Sequence, residues 1–182
     1  MHKQIQKHGR AEKRDSSNKK ILKEKSVHPI PKTVEECNNL AVWFLSKDRF
    51  DEAEKVLKRG LKLAPDDVDL WTNLGIVYAQ MDKTNAAENA LKKALKLDPE
   101  NTTILVNLSN VYSKQRKYKE SIEILQKLAA DSNDPAIHLN LGRIYITLGN
   151  KVKAKEEIKL ALSWIEDEGL RKYAEELVKG CE

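Results

Sequence analysis

The sequence predicts an all-α protein, a solenoid of antiparallel helix pairs. Three observations carry that reading. Lys, Glu, Leu and Ala dominate, and 7 Gly and 5 Pro in 182 residues are too few for a loop-rich β protein. One block returns at a nearly fixed interval: CNNLAVWF from Cys37, WTNLGIVY from Trp71, LVNLSNVY from Leu105 and HLNLGRIY from His138, at offsets of 34, 34 and 33 residues. A second amphipathic segment follows each block, from RFDEAEKVLKRGLKLAP in the first to NKVKAKEEIKLALSWIE in the fourth.

The elements follow in order along the chain. Residues 1–33 hold ten Lys or Arg against three acids, so they carry +7 while the rest of the chain carries −2. Such a polar, basic stretch is expected to be disordered, with a short helix near 17–26 around Ile21 and Leu22 and a break at HPIPK. Four helical hairpins are then expected over 34–67, 68–101, 102–134 and 135–166. Thr33 and Glu36 form a capping box at the first. Asp134 before Pro135 gives the fourth an N-cap with proline at the first helical position. No proline stops the last hairpin, and Gly169 is expected to break it. LRKYAEELVKG then sets Leu170, Tyr173, Ala174, Leu177 and Val178 on one stripe, which suits a capping helix over 167–182.

Small residues recur at one site of the first helix in each hairpin: Ala41, Gly75, Ser109 and Gly142. Ala53, Ala87, Ser121 and Ala154 answer them on the second helix. Four small pairs at fixed spacing imply that the two axes approach within about 8–10 Å there.

These residues resemble the tetratricopeptide repeat (TPR), whose pattern is W-x2-L-G-x2-Y, then A, a large apolar residue, A and P. The second repeat matches throughout, with Trp71, Leu74, Gly75, Tyr78, Ala87, Leu91, Ala94 and Pro99. The resemblance covers about residues 34–166 and implies a right-handed superhelix whose first (A) helices line a concave groove. It also implies a non-catalytic module that binds other proteins. The residue before each conserved leucine is Asn39, Asn73, Asn107 and Asn140, a ladder able to pair with a peptide backbone. Around it the resemblance places Val42, Leu45, Ile76, Ala79, Val106, Leu139 and Ile146, with Glu35, Asp69, Lys114 and Arg143 as the few charges. The family's carboxylate clamp for chaperone tails is not matched: its places hold Asn38, Val42, Asn73, Thr103 and Asn107, and Asn73 alone fits. A peptide or amphipathic helix with apolar anchors is the expected ligand.

Trp43 stands where later repeats turn an apolar residue back onto the preceding one, and the first repeat has none before it. Ile21, Leu22 or a partner subunit covers it on one reading; on another it is an exposed indole beneath lysine stems. Self-association through this end is therefore a second expectation. A third reading makes the basic tail a tether to nucleic acid or an anionic surface, although it has no aromatic residue for base stacking.

Chemistry is expected to be absent. His2, His8, His28 and His138 do not fall at metal-ligand spacing, and His138 takes a helix-packing slot. Cys37 occupies the slot of Trp71 and reads as a buried thiol, whereas Cys181 is expected at the surface. The two are far apart and outside any CxxC pattern, so neither disulfide nor zinc is expected. With no nucleotide loop, cofactor, catalytic set or apolar run of about 20 residues, the sequence reads as a cytoplasmic interaction protein rather than an enzyme.

Overall fold

The computed structural model describes residues 30–181, so Ile21, Leu22 and the short helix expected near 17–26 lie outside the described residues. The chain divides at Pro31. The unit that begins there contains, among the described residues, nine helices and no strand: α1 Val34–Leu45, α2 Phe50–Leu63, α3 Val68–Gln80, α4 Thr84–Leu97, α5 Thr102–Lys114, α6 Tyr118–Asp131, α7 Pro135–Thr147, α8 Lys151–Trp164 and α9 Glu168–Lys179.

Helix starts follow from side-chain caps. Thr33 accepts from the Glu36 N–H while the Glu36 carboxylate accepts from Thr33, which completes the capping box. Asp67, Asn101, Asp134 and Asp167 cap α3, α5, α7 and α9 in the same manner. The last of these corrects an expectation. The fourth hairpin ends because Ile165 turns extended and Asp167 opens a new helix, whereas Gly169 lies inside the first turn of α9.

Within each hairpin the turn is one repeated device. Asp48, Asp82, Arg116 and Gly149 all take positive φ, between 55° and 74°. The next residue donates its N–H five positions back (Arg49 to Phe44, Lys83 to Tyr78, Lys117 to Tyr112, Asn150 to Tyr145), each at 2.9 Å. The left-handed residue itself donates three positions back, as Asp48 does to Leu45. This pair of bonds is the Schellman motif, which satisfies the last carbonyls of the A helix and reverses the chain at once.

The small-residue contact explains how closely the pair then packs. A Cβ on Gly75 would stand 2.6 Å from Leu91 Cγ, and one on Gly142 would stand 2.5 Å from Ile158 Cγ1. The third hairpin meets the same need with serines: buried Ser121 Oγ donates to the Ser109 carbonyl at 2.8 Å and lies 2.9 Å from Ser113 Oγ.

Each hairpin packs on the next, α2 on α3, α4 on α5, α6 on α7 and α8 on α9. Leu70 and Val77, Ile104 and Val111, and Ile137 and Ile144 are the buried residues that face back onto the preceding hairpin. The A helices also touch one another, α1 with α3, α3 with α5 and α5 with α7. The B helices make no comparable contact among the described residues, so the A helices form the inside of the curve. Among the described residues no helix is long and apolar enough to cross a membrane.

The two cysteines differ in outcome. Cys37 is fully buried, as its repeat slot predicts, and burial pushes its thiol up from the ordinary range. Cys181 is buried too, contrary to expectation: its Sγ–H donates to the Leu177 carbonyl one turn back at 3.2 Å, and it joins the C-terminal core cluster. α9 itself buries Ala174 and half-buries Leu177 and Val178. Leu170 and Tyr173, expected on the same packed stripe, stay exposed, and the helix packs chiefly on α8.

Candidate functional site

The inner side of the curve holds a trough of about 600 Å³ between α3, α5 and α7. Ile76, Ala79, Ile144 and Ile146 supply its apolar surface, and Asn107, Asn110, Asn140, Lys114 and Arg143 its polar surface. Helical spacing produces this lining. Ile76 and Ala79 lie three apart on α3, as do Asn107 and Asn110 on α5 and Asn140 and Arg143 on α7. The same face is therefore presented by three successive helices.

Of the residues the sequence nominates, Ile76, Ala79, Asn107, Lys114, Asn140, Arg143 and Ile146 come together here. Asn39 and Val42 are exposed on α1, outside the trough. Val106 is half-buried and packs against the C-terminal part of the core. Leu139 is buried in that same core at 6 % exposure and does not line the trough.

The asparagine ladder is uneven. Asn73 Nδ2 donates to Asn38 Oδ1 at 2.6 Å, a bond that ties α3 to α1. Asn107 Nδ2 donates to the Thr103 carbonyl one turn back at 3.0 Å. Both keep their carbonyl oxygens as acceptors. Lys114 Nζ donates to the Ala79 carbonyl at 2.6 Å and so bridges α5 to α3 at the C-terminal end of both helices, where a cation complements the helix dipole.

Sequence reasoning passed over Gln80, Asn110, Ser113, Thr147 and Leu177, which also line the trough. Asn110 and Ser113 were legible as the next positions along the face that carries Asn107. Leu177 was legible from spacing, since α9 begins 33 residues after α7 just as α7 begins 33 after α5.

Trp43 lies at the other end of the unit and is 38 % exposed. Its ring meets Phe44 edge-on at a centroid separation of 5.2 Å, and the Arg49 guanidinium stands 5.8 Å from it and 4.6 Å from Phe44. Before the start of α1, the carbonyl of the buried Pro31 accepts from Arg59 Nε at 2.6 Å.

A second periodic feature lies on the B helices. Glu54 pairs with Lys58 at 2.7 Å and with Lys83 of the next turn at 3.3 Å; Glu88 pairs with Lys92 at 2.6 Å and Lys117 at 3.0 Å. The two sets are 34 residues apart, and Tyr78 and Tyr112 sit under their lysines. The Lys92 ammonium, with Lys117 and Gln115 behind it, holds the Glu88 carboxyl at about 2. These bridges clip the first hairpin to the second and the second to the third. In the fourth repeat His138 is buried in its predicted packing slot, its Nδ1 2.8 Å from Glu157 Oε2 and its ring 5.2 Å from that of Trp164. Among the described residues no group of three His, Cys, Asp or Glu could hold a metal ion.

Comparison with known proteins agrees with this architecture. Models of the tetratricopeptide repeat match residues 40–106, 79–134 and 114–172. A search of the curated proteins gives no match. Among solved structures, a chain of the Cut9–Hcn1 APC/C hetero-tetramer is similar at a TM-score of 0.73 and 21% identity over 82% of this chain, which spans 30% of that one. TTC0263, a thermophilic TPR protein of Thermus thermophilus, is similar at 0.72 and 21% identity, over 81% of this chain and 82% of that one. PilF of Pseudomonas aeruginosa is similar at 0.69 and 18% identity, over 82% and 76% respectively. At such identities the likeness speaks to the fold. Together, the repeat spacing, the stacked hairpins and the matched residues 40–172 place this chain in the tetratricopeptide-repeat family.

Proposed function

We propose that the protein is a non-catalytic scaffold or adaptor that holds a peptide or helical segment of another protein in the trough of its A helices. One observation carries this reading. Three successive A helices present the same face to one trough, with apolar walls and amide groups at regular intervals. An extended segment or one helical face matches such periodic wall chemistry, because its own side chains recur at fixed steps. A segment laid there would pair with the Asn107 and Asn140 side chains and bury apolar anchors against Ile76, Ala79 and Ile146. Cytoplasmic residence belongs to the same reading, since Cys37 and Cys181 are both free thiols.

A photo-crosslinking amino acid placed at Ile146, in the trough, or at Lys127, exposed on α6, tests this directly. The expected result is a partner adduct from position 146 and none from 127. Adducts from 127 alone would contradict a partner held by the inner wall.

A further inference from the structure

The trough has a wall that the four repeats do not supply. Counting 33 residues from α7 to α9 places Tyr173 in the register of Asn140, Ala174 in that of Leu141 and Leu177 in that of Ile144. Burial agrees with the register: Leu108, Leu141 and Ala174 are exposed by 3 %, 1 % and 0 %. α9 therefore stands in the register of a fifth A helix. Leu177 lines the trough, and Tyr173, four residues before it on the same face of α9, is 43 % exposed. An aromatic ring thus occupies the fifth rung of a ladder whose other rungs are amides.

Charge completes the description. Lys114 and Arg143 line the trough, and no Asp or Glu is among the described residues that do. Lys114 directs its hydrogen bond to the Ala79 carbonyl and, among the described residues, enters no ion pair. Among the described residues the Arg143 guanidinium enters no ion pair. The body around this basic trough carries −2 net, so the positive charge here is local.

We infer that the C-terminal half of the trough binds an acidic segment of a partner protein that also carries a large apolar side chain. The apolar side chain rests against Tyr173, Leu177 and Ile146. Carboxylates of the same segment meet Arg143, which can grip them with two parallel N–H donors, and Lys114, which meets them as a point charge. Tyr173 suits this position because its ring supplies contact area at low entropic cost and its hydroxyl can stay wet. The chain's own residues 1–33 carry the same sign of charge as the trough and are disfavoured as its occupant. This inference rests on the trough reading above and narrows it to one ligand chemistry and one helix outside the repeats.

A phage-displayed library of random peptides, selected on the full chain, provides the probe. Binding of an enriched peptide is then measured for wild type, Arg143→Glu, Tyr173→Ala and Ile76→Asp, each checked for an unchanged helical CD spectrum. The expected result is enrichment of peptides that are net negative and bear Leu, Phe or Trp. Arg143→Glu and Tyr173→Ala should each weaken binding by about tenfold or more, as loss of a charge-assisted contact or an anchor does. Peptides without acidic bias, sensitive to Ile76→Asp and indifferent to the other two, would overturn this inference and leave the trough reading standing. Peptides indifferent to all three substitutions, or no enrichment at all, would overturn both.

Discussion

Gly75 and Leu91 are packed so closely that a single methyl group between them would lie 2.6 Å from Leu91 Cγ. Gly75→Ala should therefore destabilise the protein even though alanine is the better helix former by about 1 kcal/mol. Overpacking of this kind costs about 1–3 kcal/mol. Urea unfolding should show that loss, and the Gly75→Ala/Leu91→Ala double variant should lose less than the sum of the two single losses. Simple additivity of the two changes would contradict a direct contact.

The hairpin turns make an opposite prediction for glycine. Arg116 holds φ at 61°, a conformation that costs a side-chain-bearing residue about 1–2 kcal/mol. Arg116→Gly should raise stability by about 0.5–1 kcal/mol, and Gly149→Ala should lower it by a similar amount. Thermal melts of the two variants check the pair, and equal shifts of one sign would rule out the shared turn geometry.

Acid should weaken the joint between the second and third hairpins. The Glu88 carboxyl sits at about 2 in the folded protein against an ordinary value of 4.5. Because the folded value is depressed, the stability it contributes is complete above 4.5 and is lost as pH falls from there through 2. Glu88→Gln should cost about 0.5–1 kcal/mol at neutral pH, the worth of an exposed ion-pair cluster. The difference from wild type should vanish near pH 2. Urea midpoints across this range measure it; a difference that stays constant with pH would contradict the assignment.

Asn73 and Asn140 should separate structure from binding, although both are rungs of the same ladder. Asn73 is tied to Asn38 at 2.6 Å, so Asn73→Ala should lower stability by about 1 kcal/mol and couple with Asn38→Ala in a double-mutant cycle. Asn140→Ala should leave stability within about 0.5 kcal/mol of wild type and weaken peptide binding instead. A stability loss at Asn140 equal to that at Asn73 would argue that the ladder braces the fold.

What the sequence made legible tracks how far each feature depends on side-chain pattern. The hairpins, the small-residue contact, the buried Cys37 and the slot of His138 all follow from spacing, because each places one residue type on one helical face. The turns were harder to see. Gly149 alone announces a left-handed position, while Asp48, Asp82 and Arg116 adopt it under the demand of the Schellman bonds. Leu139 reads as groove-lining by position, yet in the fourth repeat it is buried within the C-terminal core cluster against which Val106 packs. α9 was the least legible element. Arg171 stands in its signature slot and Glu175 where Gly142 stands in the fourth repeat, so its register shows through spacing and burial rather than motif.

The most direct test of the trough as a binding surface uses the isoleucine Cδ1 methyl groups. Ile76, Ile144 and Ile146 line the trough, while Ile122 and Ile124 lie on α6. Saturating the protein with a selected peptide should move the NMR resonances of the first three and leave those of Ile122 and Ile124 in place. Shifts confined to Ile122 and Ile124 would contradict the account.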